Sequence, residues 1–114
     1  MPVRRAAAAV DPDSMPVWDD APALAAVGGS LETLAALRSL LAGDLPGQLA
    51  TVLAGPGSPQ ARDILHRLRA ACGFCGAVRL AQAAAAMESS PSPPPEVLVR
   101  FAQEVERVLA TPWR

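Results

Sequence analysis

The chain contains no tyrosine, and aromatic residues make up only 4% of its 114 residues. Proteins that hold single-stranded nucleic acid stack the bases on aromatic side chains, so no such platform is expected. A basic excess is missing too: ten basic residues against eleven acidic ones give a formal net charge of −1. Duplex binders usually carry a basic stripe. No apolar run approaches the ~20 residues that cross a bilayer. Arg4 and Arg5 precede a short apolar stretch, Ala6 to Val10, below the ~7–15 residues of a secretion-signal core. The expectation is a soluble, cytoplasmic protein without nucleic-acid or membrane partners.

Cysteine is scarce: Cys72 and Cys75 are the only two, spaced Cys-x-x-Cys. A thioredoxin-like redox pair needs a βαβ setting, and the sequence has no strand alternation. Zinc ligation together with His66 would require all three side chains to face one point, which a continuous helix does not allow. The remaining reading makes the cysteines small buried hydrophobes, with no metal.

What the chain does have is helical periodicity. Residues 1–16 carry alanines, three prolines and no period, and read as a disordered tail before a domain at 17–114. Asp19 and Asp20 can cap a short helix through Val27, with Leu24 and Val27 inward. Gly28-Gly29 closes it, since glycine takes the left-handed conformation that ends helices. Ser30 caps a long helix to about Ala54, with Leu34, Leu37, Leu41, Leu45, Leu49, Val52 and Leu53 recurring at three and four. Pro46 is expected to kink this helix rather than split it near Asp44. Gly55-Pro56-Gly57 leads to a third helix, capped by Ser58 with Pro59 at its first position and running to about Cys72. Gly73 and Gly76 mark a bend, and a fourth helix reaches Glu88 with Leu80, Ala84 and Met87 inward. A proline-rich loop, Ser89 to Pro95, precedes a last helix from Glu96, with Leu98, Phe101, Val105 and Leu109 inward and Glu104 able to pair with Arg107. Short loops favour antiparallel neighbours. The expected fold is all-α: a monomeric, antiparallel up-down-up-down four-helix bundle with a short extra N-terminal helix.

The third helix holds the only histidine. At roughly 100° per residue, Ala61, Ile64, Leu68, Ala71 and Cys75 fall opposite His66, with Leu65 and Cys72 on a flank. That stripe is the core side of an amphipathic helix. His66 therefore stands in the middle of the solvent face, with Arg62 one turn before it and Arg69 one turn after. Ala70 and Gly73 share its stripe and carry almost no side chain. A structural histidine would be placed the other way round.

His66-Arg67-Leu68-Arg69-Ala70, then Gly76-Ala77-Val78-Arg79-Leu80, then Ala84 and Met87-Glu88 resemble the signature of histidine-containing phosphotransfer (HPt) domains without insertion, over roughly residues 17–110. Two positions depart from it. Arg69 replaces the usual lysine, exchanging a point charge for a planar fork, and Ala70 replaces the usual glycine. The resemblance implies the same bundle and a phosphorelay intermediate: His66 takes a phosphoryl group from a receiver-domain aspartate and passes it to another receiver. It implies response-regulator receiver domains and a hybrid sensor kinase as partners. It also implies no cofactor on this chain, because Mg²⁺ belongs to the receiver. Arg69 and Arg62 would favour the attached dianion, and Glu88 would hold the ring from the next helix. Ala70 and Gly73 would be the surface of close approach. Such a protein carries a phosphoryl group rather than acting as a stand-alone enzyme.

Rival readings stay open. The arginines also suit solvated surface charge, and Glu88 suits an exposed helix-end carboxylate. The chain could also be a docking module that binds a receiver or kinase without phosphotransfer, or a protein with a redox role through Cys72 and Cys75.

Overall fold

A computed structural model describes residues 14–113. Residues 1–13 of the tail expected over residues 1–16, and Arg114, lie outside the described residues. Five helices follow in order: α1 Asp20–Ala26, α2 Leu31–Ala54, α3 Pro59–Cys75, α4 Val78–Glu88 and α5 Pro95–Ala110. Among the described residues there is no strand. Helix α3 packs on α2 and α4, and α5 packs on α4 and α2, so four helices enclose one core while α1 rests on α3 and α2.

The starts follow from local chemistry. The Ser30 hydroxyl accepts from Thr33 N at 3.1 Å, and the Ser58 hydroxyl accepts from Ala61 N at 3.0 Å. Each satisfies one backbone donor that a first turn leaves over. At α1 the expected cap is absent: the Asp19 side chain makes no capping bond. The Asp20 carboxylate instead pairs with Arg38 Nη1 at 2.8 Å. Helix α2 continues through Pro46 as one element, and Pro46 is exposed.

Helix α3 runs one turn past its expected end. Gly73 lies inside it, exposed, and Gly76 ends it at φ 74°, ψ 21°. That left-handed conformation is the property a glycine terminator needs, and Gly73 does not have it. Gly76 is also a contact point. Its carbonyl accepts from Asp19 N at 2.8 Å, and an added Cβ would collide with the Asp19 carbonyl oxygen. The chain entering α1 is thus seated on the end of α3.

The buried stripes differ in phase from the sequence expectation. On α3, Ala61, Leu65, Leu68, Cys72 and Cys75 are buried, whereas Ile64 and Ala71 are half-buried. The stripe centre therefore lies roughly 140° from His66 rather than directly opposite. On α5, Phe101, Glu104, Val105 and Val108 face inward, Leu98 is half-buried and Leu109 is exposed. Leu53 of α2 is also exposed, and Ala23 rather than Leu24 or Val27 is the buried residue of α1.

Three buried charged side chains organise the packing. Arg38 is 1% exposed; its Nε donates to the Cys75 carbonyl at 2.8 Å, and its guanidinium lies 4.9 Å from the Trp18 ring centroid. Arg79 of α4 meets Glu104 of α5 through two bonds, Nε–Oε1 at 3.0 Å and Nη2–Oε2 at 2.9 Å. Arg107, the expected partner of Glu104, sits farther off at 3.8 Å.

Candidate functional site

Helices α3 and α4 meet along small residues, and the near-absence of side chain there leaves an open groove. It encloses about 530 Å³ and is lined by His66, Arg69 and Ala70 from α3 and by Ala81, Gln82 and Ala85 from α4. Ala81 and Ala85 lie one turn apart, so α4 presents methyl groups where larger side chains would fill the space. The His66 side chain is 81% exposed. It makes no hydrogen bond short enough to hold the ring in one orientation.

Glu88 closes the far end of this surface. One carboxylate oxygen, Oε1, accepts from Arg69 Nη1 at 2.9 Å, and the other, Oε2, stands 3.9 Å from His66 Nδ1. The first is a hydrogen-bonded ion pair. The second lies beyond hydrogen-bond range and within the reach of a small ring rotation. Arg69 is half exposed and Glu88 is 20% exposed, so the pair is worth about 0.2–1 kcal/mol. Its main effect is positional: it brings a cation and a carboxylate to the same side of the imidazole.

The structure thus brings together four of the six residues expected at the site: His66, Arg69, Ala70 and Glu88. Arg62 is exposed on α3 but does not line the groove. Gly73 is open, with nothing within 4 Å of an added Cβ, and also lies outside the lining. Sequence reasoning missed Gln82, an exposed polar residue on the groove wall whose Nε2 lies 3.4 Å from Met15 Sδ. Its one signal is position: it directly follows Ala81 and lies one turn from Ala85 and Ala86.

The cysteines take no part in this surface. Both are buried and unpaired. Burial pushes the Cys72 thiol up from 9.0 to about 12, with the neighbouring Cys75 adding to the effect. Burial raises Cys75 too, partly opposed by Arg38. Thiols held protonated in this way stabilise the fold fully below about pH 9, and that contribution is lost as pH climbs towards 12. A thiol reagent at neutral pH is expected to label the native protein at least tenfold more slowly than the denatured chain. Equal rates would mean that these cysteines are not in the core. Among the described residues no group of three or more His, Cys, Asp or Glu is placed to hold a metal ion. No single described helix is long and apolar enough to cross a membrane.

The family model of the Hpt domain matches residues 27–111. Searches of curated proteins and of solved structures gave no match.

Proposed function

The chain belongs to the Hpt domain family, which acts in histidine phosphotransfer within two-component signalling, and we propose that His66 is the phosphoryl acceptor of a phosphorelay intermediate. The observation that carries the assignment is the groove at residue 66. The only imidazole of the chain is 81% exposed beside a strip of alanines, with an arginine–glutamate pair on one side.

The proposed chemistry follows from those positions. Nδ1 faces Glu88, which leaves Nε2 directed away from the carboxylate as the attacking nitrogen. The receiver's aspartyl phosphate supplies the phosphoryl group. A P–N bond forms at Nε2 while the acyl phosphate P–O bond breaks, and the aspartate leaves as a carboxylate. The proton on Nδ1 stays there, and Glu88 approaches to accept its hydrogen bond, stabilising the positive ring. Onward transfer is the reverse step with a second receiver, which regenerates the neutral imidazole. The groove supplies a nucleophile and room for an approaching partner, and no cofactor on this chain is invoked. Mg²⁺ would be held by the receiver.

The finer features belong to the same proposal. The short connections support an antiparallel up-down-up-down course with α1 as an added element. The partners are receiver domains and a hybrid sensor kinase, met by a monomer in the cytoplasm. Ala70, on the groove floor, sets how closely a partner backbone approaches. Arg62 and Gly73 lie outside the groove, so any role they have is at the edge of the docking surface.

Arg69 divides its charge between Glu88 and the incoming phosphoryl oxygens. Arg69→Ala is expected to shorten the phosphohistidine lifetime roughly three- to tenfold, less than a fully buried charge-assisted bond would give, because the side chain is half in water. Arg69→Lys should recover part of the loss. The decay of label on purified phosphoprotein measures both, and an unchanged Arg69→Ala lifetime would remove Arg69 from the site.

A further inference from the structure

One aromatic side chain of this protein stands in water. Of the two phenylalanines and two tryptophans, Phe101 and Trp18 are buried, Trp113 is half-buried and Phe74 is 54% exposed. An exposed apolar side chain by itself needs no explanation, but the place of this one on α3 does. Phe74 lies eight residues after His66, about 12 Å along the helix. Between them come Ala70 and Gly73, both exposed, and an added Cβ at Gly73 would meet nothing within 4 Å. The imidazole and the phenyl ring thus rise from the two ends of a bare strip of helix.

At roughly 100° per residue, Ala70, Phe74, Arg67 and Ala71 lie about 40°, 80°, 100° and 140° round from His66, and Arg69 lies about 60° the other way. Arg69 marks the α4 side, since it pairs with Glu88. Arg67 and Ala71 mark the α2 side: with Leu37 and Leu40 they line a hollow between α2 and α3. Leu40 is 65% exposed. Arg67 is tied to Asp63 at 2.9 Å, and Asp44 gives the hollow a carboxylate. The flank of His66 turned away from Glu88 therefore carries two exposed apolar side chains, Phe74 and Leu40, with a charge of each sign beside them.

Transfer geometry selects this flank. With Nδ1 toward Glu88, Nε2 points away from α4, and the donor phosphorus has to arrive in line with it. The body that carries the donor then lies over Ala70 and the α2 side. A standard interface covers about 800 Å² on each partner, a disc of roughly 16 Å radius, so one centred on His66 takes in Phe74. Interface cores favour aromatic anchors and exclude most charge. We propose that Phe74, seconded by Leu40, is the apolar anchor on which the phosphorylated receiver domain seats. The receiver then occupies the α2–α3 face rather than the α4 wall of the groove. The choice of partner rests on the phosphotransfer reading, so binding and labelling are measured separately.

The experiment titrates the full chain into dye-labelled receiver domains purified from the same cell, reads fluorescence anisotropy, and scores labelling in parallel. At least one receiver is expected to bind saturably. Phe74→Ala should weaken that binding at least tenfold and Leu40→Ala about threefold, with melting temperatures unchanged. Phe74→Leu keeps an apolar knob and should recover most of the loss. Val99 is as exposed as Phe74 but lies on α5, which packs on α2 and α4, and Val99→Ala should leave binding within about twofold of wild type. A receiver that binds through Phe74 but never labels the wild type would remove phosphotransfer and leave this docking face standing. Phe74→Ala that binds as the wild type does, with labelling intact, would overturn the docking face and leave phosphotransfer. A greater loss from Gln82→Ala than from Phe74→Ala would put the partner over α4 and overturn it as well, as would a wild type that no receiver saturates.

Discussion

His66→Gln is expected to abolish phosphoryl labelling completely while leaving helix content and melting temperature almost unchanged. The imidazole is 81% exposed and makes no hydrogen bond, and substitutions at such surface positions usually shift stability by no more than about 0.5 kcal/mol. The chemical loss is total because the chain has no second histidine to take over, and a glutamine amide nitrogen is not nucleophilic. The measurement incubates wild type and variant with phosphorylated receiver domains from the same cell. It scores label that is stable to base and lost in acid, as a phosphoramidate is. Label persisting on His66→Gln would end the phosphotransfer reading. A wild type that binds receivers but never labels would make the chain a docking module on the same scaffold.

The largest effect on stability is expected at Glu104. Its carboxylate is 1% exposed and receives both Nε and Nη2 of Arg79, itself 5% exposed. Arg100 and Arg107 stand at 3.6 and 3.8 Å. Removing one member of a buried pair leaves the other desolvated without compensation, at a cost of about 3–5 kcal/mol. Glu104→Ala should therefore lower the melting temperature by more than ~10 °C for a domain of this size. Replacing both partners by apolar residues of similar volume, Arg79→Met with Glu104→Leu, should recover most of the loss, since well-packed hydrophobes often match a buried ion pair. Thermal melts followed by circular dichroism give both values. A single Glu104→Ala loss under 1 kcal/mol would show that water reaches this pair.

The sequence could have announced that pair. Glu104 lies three residues after Phe101 and four before Val108, on the apolar stripe of α5, and Arg38 likewise falls between Leu34 and Leu41 on α2. A charge on a core stripe signals a buried partner, but periodicity alone does not say which residue answers it. Arg79 and Glu104 are 25 positions apart, and only packing joins them. The α3 terminus was ambiguous for another reason. Gly73 and Gly76 are both glycines near a helix end. A helix tolerates an exposed internal glycine at about 1 kcal/mol, so composition does not pick the one at positive φ. Trp18 and Trp113 sit in stretches without period, yet Trp18 is buried and Trp113 packs edge-on against it. His66, Arg69 and Ala70 were legible because a 3.6-residue repeat fixes which side chains share a helix face, whereas Glu88, on α4, was expected only from the resemblance to the phosphotransfer signature. Gln82 was not, because it lies across the groove on another helix, and that juxtaposition is tertiary.

The contact between Trp18 and the far end of the chain has a consequence for tethering. The Trp18 indole donates to the Thr111 carbonyl at 2.8 Å, and Asp19 is bonded to Gly76, so residues 18, 76 and 111 share one pole of the bundle. His66 lies ten residues back along α3 from that pole, about 15 Å at the rise of an α-helix. A partner domain tethered just ahead of Trp18 or just after Thr111 would therefore start from nearly the same anchor. A flexible linker of about ten residues, with a root-mean-square span of roughly 17 Å, matches the distance to the imidazole, the length at which a tether's effective concentration is highest. The order in which domains are strung along a polypeptide would then matter little to transfer, and linker length would set the rate.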